Sequence, residues 1–159
     1  LWDALWEAGQ EYGVRPGSPN VIERAEGGLL SYGNEFTREN NPYECGMEQY
    51  CHPHDDIEFI GKDALQEIAK QGPQRQIRGI LFDGDKCPAV AKPWPLIADG
   101  NNAGHITTAI WSPRLKSNIA LAMIEKPYWS TGQELLVTLP DAQTENGTRK
   151  GIVQPLPLD

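Results

Sequence analysis

The sequence predicts an α+β fold in which a helical segment, residues 1–71, precedes a small antiparallel β-barrel, residues 72–159. Three observations predict it. Apolar residues recur at helical spacing as far as Gln71 and at alternating positions from Ile77 onward. Between the two regimes stands Gly72-Pro73, a pair that ends a helix and cannot continue one. Beyond it, about six short apolar segments are separated by turn residues, with no helical stretch among them, which is the pattern of a small barrel. A chain of 159 residues, 39% hydrophobic and 23% charged, is long and apolar enough for one packed domain or two small ones.

Each element has a local reason. Over residues 1–12, Trp2, Leu5, Trp6 and Gly9 share one helical stripe and Gly13 stops it. Arg15-Pro16-Gly17-Ser18-Pro19-Asn20 reads as a turn and helix cap. A second helix is predicted over Val21–Leu30 with Gly27-Gly28 inside it, a pair that weakens the helix and invites close packing or a ligand. Residues 34–56 form a long polar loop, of a length that is often functional in a compact domain. After the short apolar run Ile57–Ile60, a third helix spans Asp63–Gln71. The strands are predicted at 77–82, 94–97 (with Val90 nearby), 105–111, 119–125, 134–139 and 149–154, with turns at Asp83-Gly84 and Asp99-Gly100.

Charge and cysteine content narrow the function. The net charge is -8, from 14 basic and 22 acidic residues, and the basic ones are scattered apart from Arg75 and Arg78. Such a surface repels phosphate backbones, so no nucleic-acid partner is expected. No apolar run approaches the roughly 18 residues that span a bilayer, so no membrane association is expected. Three cysteines (Cys45, Cys51, Cys87) form neither a C-x-x-C pair nor a disulfide framework, which fits a reducing, cytoplasmic setting. The chain opens on Leu1 inside a helical pattern, which reads as a truncated start.

Three constellations offer chemistry. Cys45, Cys51, His52, His54, Asp55 and Asp56 are all possible metal ligands, but their spacing matches no zinc pattern, and the expectation is a polar loop without metal. Trp94, Trp111, Tyr128 and Trp129 could stack on a ring, although barrel packing suits most of them. Arg24-Ala25-Glu26-Gly27-Gly28-Leu29, running on to Ser31-Tyr32-Gly33-Asn34-Glu35, sets a planar guanidinium beside two glycines, which would admit a flat ligand to the helix backbone. Ordinary surface Arg and Glu would give the same spacing. G-x-S-x-G, Walker A and G-x-G-x-x-G motifs are absent from the sequence.

The third constellation, from Arg24 to Glu35, resembles the R-x-E-x-G-x-x-x-Y-G-N-[DE] signature of the glycine cleavage T-protein (aminomethyltransferase) family. Phe59-Ile60-Gly61-Lys62-Asp63-Ala64-Leu65 is similar to that family's F-I-G-[RK]-x-A-L, and Ser112-Pro113-Arg114-Leu115 with Asn118-Ile119-Ala120-Leu121-Ala122 to its S-P-x-L-x-x-x-I-A-L-A. The order and spacing agree over nearly the whole chain. Within the family, Pro19–Arg24, Leu30–Asn34 and Arg38–Gly46 look closer to the dimethylsulfoniopropionate demethylase branch.

The resemblance implies that residues 1–71 are the C-terminal part of a folate-binding α/β body. It implies tetrahydrofolate as cofactor, a small-molecule methyl donor, and transfer of a methyl group from a sulfonium sulfur to N5 of the folate. It also implies cofactor-binding roles for Arg24, Glu26, Gly28 and Tyr32, with catalytic residues upstream of Leu1. The N-terminal half of the same protein is then an expected partner, a homodimer is possible, and this piece alone is expected to be inactive. The alternatives within the family are an aminomethyltransferase of the glycine cleavage system and the folate domain of a dimethylglycine or sarcosine dehydrogenase. A folate-binding relative that assists iron–sulfur assembly is disfavoured, because Glu44-Cys45-Gly46-Met47-Glu48-Gln49 lacks that group's K-G-C-[YF]-x-G-Q-E signature.

Overall fold

A computed structural model describes residues 1–17, 20–140 and 147–158. Three helices precede six strands: α1 Trp2–Gly9, α2 Val21–Glu26, α3 Lys62–Gln71, then β1 Arg75–Phe82, β2 Trp94–Ala98, β3 Asn101–Ser112, β4 Ser117–Glu125, β5 Glu134–Thr138 and β6 Thr148–Gln154. The strands close a barrel in the order β1-β4-β3-β2-β5-β6, with β6 returning to β1 and every pairing antiparallel. Closure leaves no free sheet edge. The predicted α+β class and antiparallel barrel are therefore the observed ones.

Alternation along the strands builds the interior. Ile80, Phe82, Trp94, Leu96, Ile106, Ile124, Val137 and Val153 fill it together with several alanines, whose small side chains suit a narrow barrel. Nearly all of β4 is buried because its outer face is covered too: Ile119 and Leu121 pack with Ala25 of α2 and Leu158 of the C-terminal tail. Gly79 on β1 permits that cover, since a Cβ there would come within 2.5 Å of the Leu158 side chain. The β2–β3 turn is the predicted Asp99-Gly100, with φ of 51° and 76°, the two left-handed residues that a tight hairpin matched to strand twist requires.

Two predicted boundaries shift by four residues. The helix expected over Val21–Leu30 stops at Glu26: Gly28 N–H donates to Ala25 O at 3.2 Å and Leu29 N–H to Arg24 O at 2.9 Å, with Gly28 at φ +67°. That pair of bonds is a Schellman ending, so the glycines terminate the helix rather than lie within it. The strand expected from His105 begins at Asn101, because the hairpin turn starts pairing at once. Asn20 caps α2, its Oδ1 accepting from Ile22 N–H at 2.9 Å; of the predicted turn before it, Ser18 and Pro19 lie outside the described residues. Trp94 is buried in the barrel edge-on to Phe82, while Tyr128 and Trp129 are partly buried against the same core. Trp111 instead lies under Lys86 Nζ, 5.8 Å from its ring centroid.

Candidate functional site

Arg24 occupies the last turn of α2, where the short helix directs it across to β3. Its Nη1 donates to Leu29 O at 2.9 Å and to Glu35 Oε2 at 2.8 Å, and its Nη2 donates to Thr108 Oγ1 at 3.0 Å. Three of the five guanidinium donors are thereby engaged, and the side chain keeps 20% of its exposure. Glu35 opposite it has a fully buried side chain. Its carboxylate also accepts from Ser31 N–H at 2.6 Å and from the Thr108 hydroxyl at 2.6 Å, while the Thr107 hydroxyl lies 3.4 Å from it and donates its one proton to Leu121 O at 3.1 Å. A buried carboxylate is tolerable only when paired and saturated in this way.

Both threonines face one carboxylate because β3 bulges there. Ile106 pairs with Ala122 and Thr108 with Leu121, so Thr107 has no cross-strand partner and the usual alternation of faces is broken. Arg24, Asn34, Thr107 and Thr108, with Val21 and the segment 87–90, line a cleft of about 460 Å³. Its polar groups cluster around Arg24, and its remaining wall is largely apolar.

The other expected site residues lie around α2 in different settings. The Glu26 carboxylate accepts from Ser112 Oγ at 2.5 Å and Arg114 Nε at 2.7 Å, and Arg114 Nη2 also donates to Leu158 O at 2.7 Å. The Ser112 hydrogen bond, then the Arg114 bond, hold Glu26 below its ordinary pKa. This network fastens α2 to the β3–β4 turn and to the tail. Tyr32 is exposed and meets Phe36 edge-on at 5.6 Å between centroids. Gly28 lines a second cleft, of about 430 Å³, with Gly27, Gly46, Glu48, Arg78 and Thr131 among its walls. Arg24 and the glycine pair thus border different concavities rather than one wall.

Glu35, Thr107 and Thr108 were not among the expected site residues. Glu35 ends the quoted signature, so it was visible as a motif position. The paired threonines became visible only through the bulge. Of the possible metal ligands, Cys45 borders the second cleft, whereas Cys51, His52 and Asp55 border another near Leu65. Among the described residues no three His, Cys, Asp or Glu side chains form a metal-holding group.

Comparison with known proteins gives two family matches. Residues 1–54 match the GCVT N-terminal domain, and residues 75–148 match the glycine cleavage T-protein C-terminal barrel domain. The chain is 46% identical, over 95% of its length, to a dimethylsulfoniopropionate demethylase of Ruegeria pomeroyi, and 36% identical, over 87%, to an aminomethyltransferase of Thermoanaerobacter pseudethanolicus. It spans 41% and 38% of those two proteins. Among solved structures it is similar in fold to the glycine cleavage system aminomethyltransferase T of Bartonella henselae, with a TM-score of 0.72 and 22% identity, covering 84% of this chain and 36% of that one.

Proposed function

The chain belongs to the glycine cleavage T-protein family, and from that premise we propose that it forms the barrel side of a tetrahydrofolate-dependent one-carbon transferase. The observation that carries the reading is that Arg24 and Thr108, joined to the buried Glu35, line a cleft of about 460 Å³. Arg24 is held on three sides, with two N–H donors unengaged among the described residues, and an arginine held in place loses little freedom when it binds a ligand. In this reading Arg24 contacts the folate, and Tyr32 presents an exposed ring beside it. Gly28 ends α2 so that Arg24 is aimed, and Glu26 holds the helix against the barrel.

The transfer proposed is of a methyl group from the sulfonium sulfur of dimethylsulfoniopropionate to N5 of tetrahydrofolate. The similarity to the Ruegeria pomeroyi demethylase favours that donor. The sulfonium is already a good leaving group, so the protein's task is to align the attacking nitrogen with the methyl carbon and to exclude water. The aminomethyltransferases among the relatives support the second reading, an aminomethyl donor at the same folate. The outer stripe of α1, with Trp2 and Leu5 well exposed, and the exposed Ile57 and Ile60 are proposed to meet the polypeptide that supplies the remainder of the folate-binding body.

Titration of the chain with tetrahydrofolate, wild type against Arg24→Ala, tests the reading. Loss of a charge-assisted hydrogen bond should weaken binding by about tenfold or more. Equal affinity would remove Arg24 from the site, and no affinity in either protein would place folate binding outside this chain.

A further inference from the structure

The second cleft has no part in the folate reading, and its charges are arranged differently. Arg24 is neutralised by Glu35, whereas Arg78 has no carboxylate within ion-pair distance among the described residues. Arg78 is half-buried, and its guanidinium carbon lies 5.7 Å from the Trp129 ring centroid. Nε donates to Trp129 O at 3.2 Å and Nη1 to Ile77 O at 3.1 Å. These contacts fix the plane of the guanidinium and leave Nη2 without a hydrogen bond among the described residues. Burial lowers the pKa of Arg78 and the charge of Glu48 raises it, so both charges act within one small space.

Glu48 is exposed and lines the same cleft, as does the exposed Thr131. Gly27, Gly28 and Gly46 leave part of the wall bare of side chains. A simple anion entering here meets Arg78 but is repelled by Glu48, and a simple cation meets the reverse. We infer that this cleft binds a small zwitterion, whose carboxylate takes Arg78 Nη2 and the Thr131 hydroxyl while its cationic centre faces Glu48. The volume of about 430 Å³ is in the range of small-molecule sites. The binding is reversible and needs no folate, so it stands or falls apart from the folate reading.

The test uses two probes of the same shape, glycine betaine and 3,3-dimethylbutyrate, which differ only in the quaternary nitrogen. Each is titrated into the chain while the indole N–H resonance of Trp129 is followed by NMR. The expected result is saturable binding of glycine betaine, about tenfold tighter than 3,3-dimethylbutyrate. Glu48→Gln should erase that preference by weakening the betaine and strengthening the plain carboxylate. Arg78→Gln should abolish saturation by both, while Lys70→Gln, which removes one exposed charge on α3, should change neither. Thr131→Val weakens both probes without touching the contacts of Arg78 to the barrel, and it decides the matter if Arg78→Gln does not fold. Equal affinity for the two probes, an unchanged preference in Glu48→Gln, or no saturable betaine binding by the wild type would overturn the inference.

Discussion

Glu35 and Glu26 make opposite uses of a carboxylate, although both belong to the same dozen residues. Glu35 is wholly buried and serves Arg24, Ser31 and Thr108, so removing either member of the ion pair strands a charge. Glu35→Leu should destabilise the fold by about 3 kcal/mol, and adding Arg24→Met should recover part of that loss, because the remaining charge is no longer unpaired. A double-mutant cycle in urea measures the coupling, and additive losses would contradict it. Glu26 has a lowered pKa, chiefly through Ser112 and then Arg114. Its contribution to stability is therefore complete above the ordinary glutamate pKa and is lost as pH falls through the lowered native value. Denaturation midpoints taken from neutral pH into the acid range should fall less steeply for Glu26→Gln than for the wild type.

At the scale of elements, the end of α2 decides where Arg24 points. Had the helix continued through Gly27-Gly28, the carbonyl of Leu29 would have gone to the next helical turn, not to the guanidinium. Gly28 sits at φ +67° and a Cβ there would come 3.0 Å from Leu156, whereas Gly27 has an ordinary right-handed φ of -74°. Gly28→Ala should consequently cost about 1–2 kcal/mol, and Gly27→Ala clearly less, read from thermal or urea unfolding. The β3 bulge acts similarly, by bringing two consecutive hydroxyls to one carboxylate. Asn118 acts comparably on the loop after β1: its Oδ1 accepts from Cys87 N–H at 2.8 Å, and its two Nδ2 protons are shared among the carbonyls of Asp83, Gly84 and Asp85 at 3.0–3.3 Å.

The whole molecule depends on closure. β6 pairs with both β5 and β1 and so completes the ring between them. Truncation after Pro140 removes β6 and exposes two unpaired edges together with the core around Val137. The shortened chain should aggregate, as size-exclusion chromatography would show, where the full chain does not. The tail that follows β6 has its own function in the assembly, since Leu158 N–H donates to Glu26 O at 2.7 Å and its side chain covers the outside of β4. α3, by contrast, buries no residue and α1 only Gly9, so these helices owe little of their order to the barrel.

The sequence by itself determined the fold class, the six strands and the family, because each was written in local terms: the change of hydrophobic period after Gly72-Pro73, turn pairs such as Asp99-Gly100, and the run from Arg24 to Glu35. It also marked Arg24, since an arginine beside a glycine pair is legible in one dimension. Tertiary structure decided what Arg24 could do. Its partner Glu35 lies 11 residues away and its other partner, Thr108, 84 residues away. The reach to Thr108 depends on barrel register and on an unpaired Thr107 that no periodicity announces. The separation of Arg24 from the Gly27-Gly28 cleft, and the lack of an ion pair at Arg78 among the described residues, likewise follow from which strand faces which loop. Local propensity acts over a few residues, but charge pairing depends on distance in space, and only the closed barrel sets those distances.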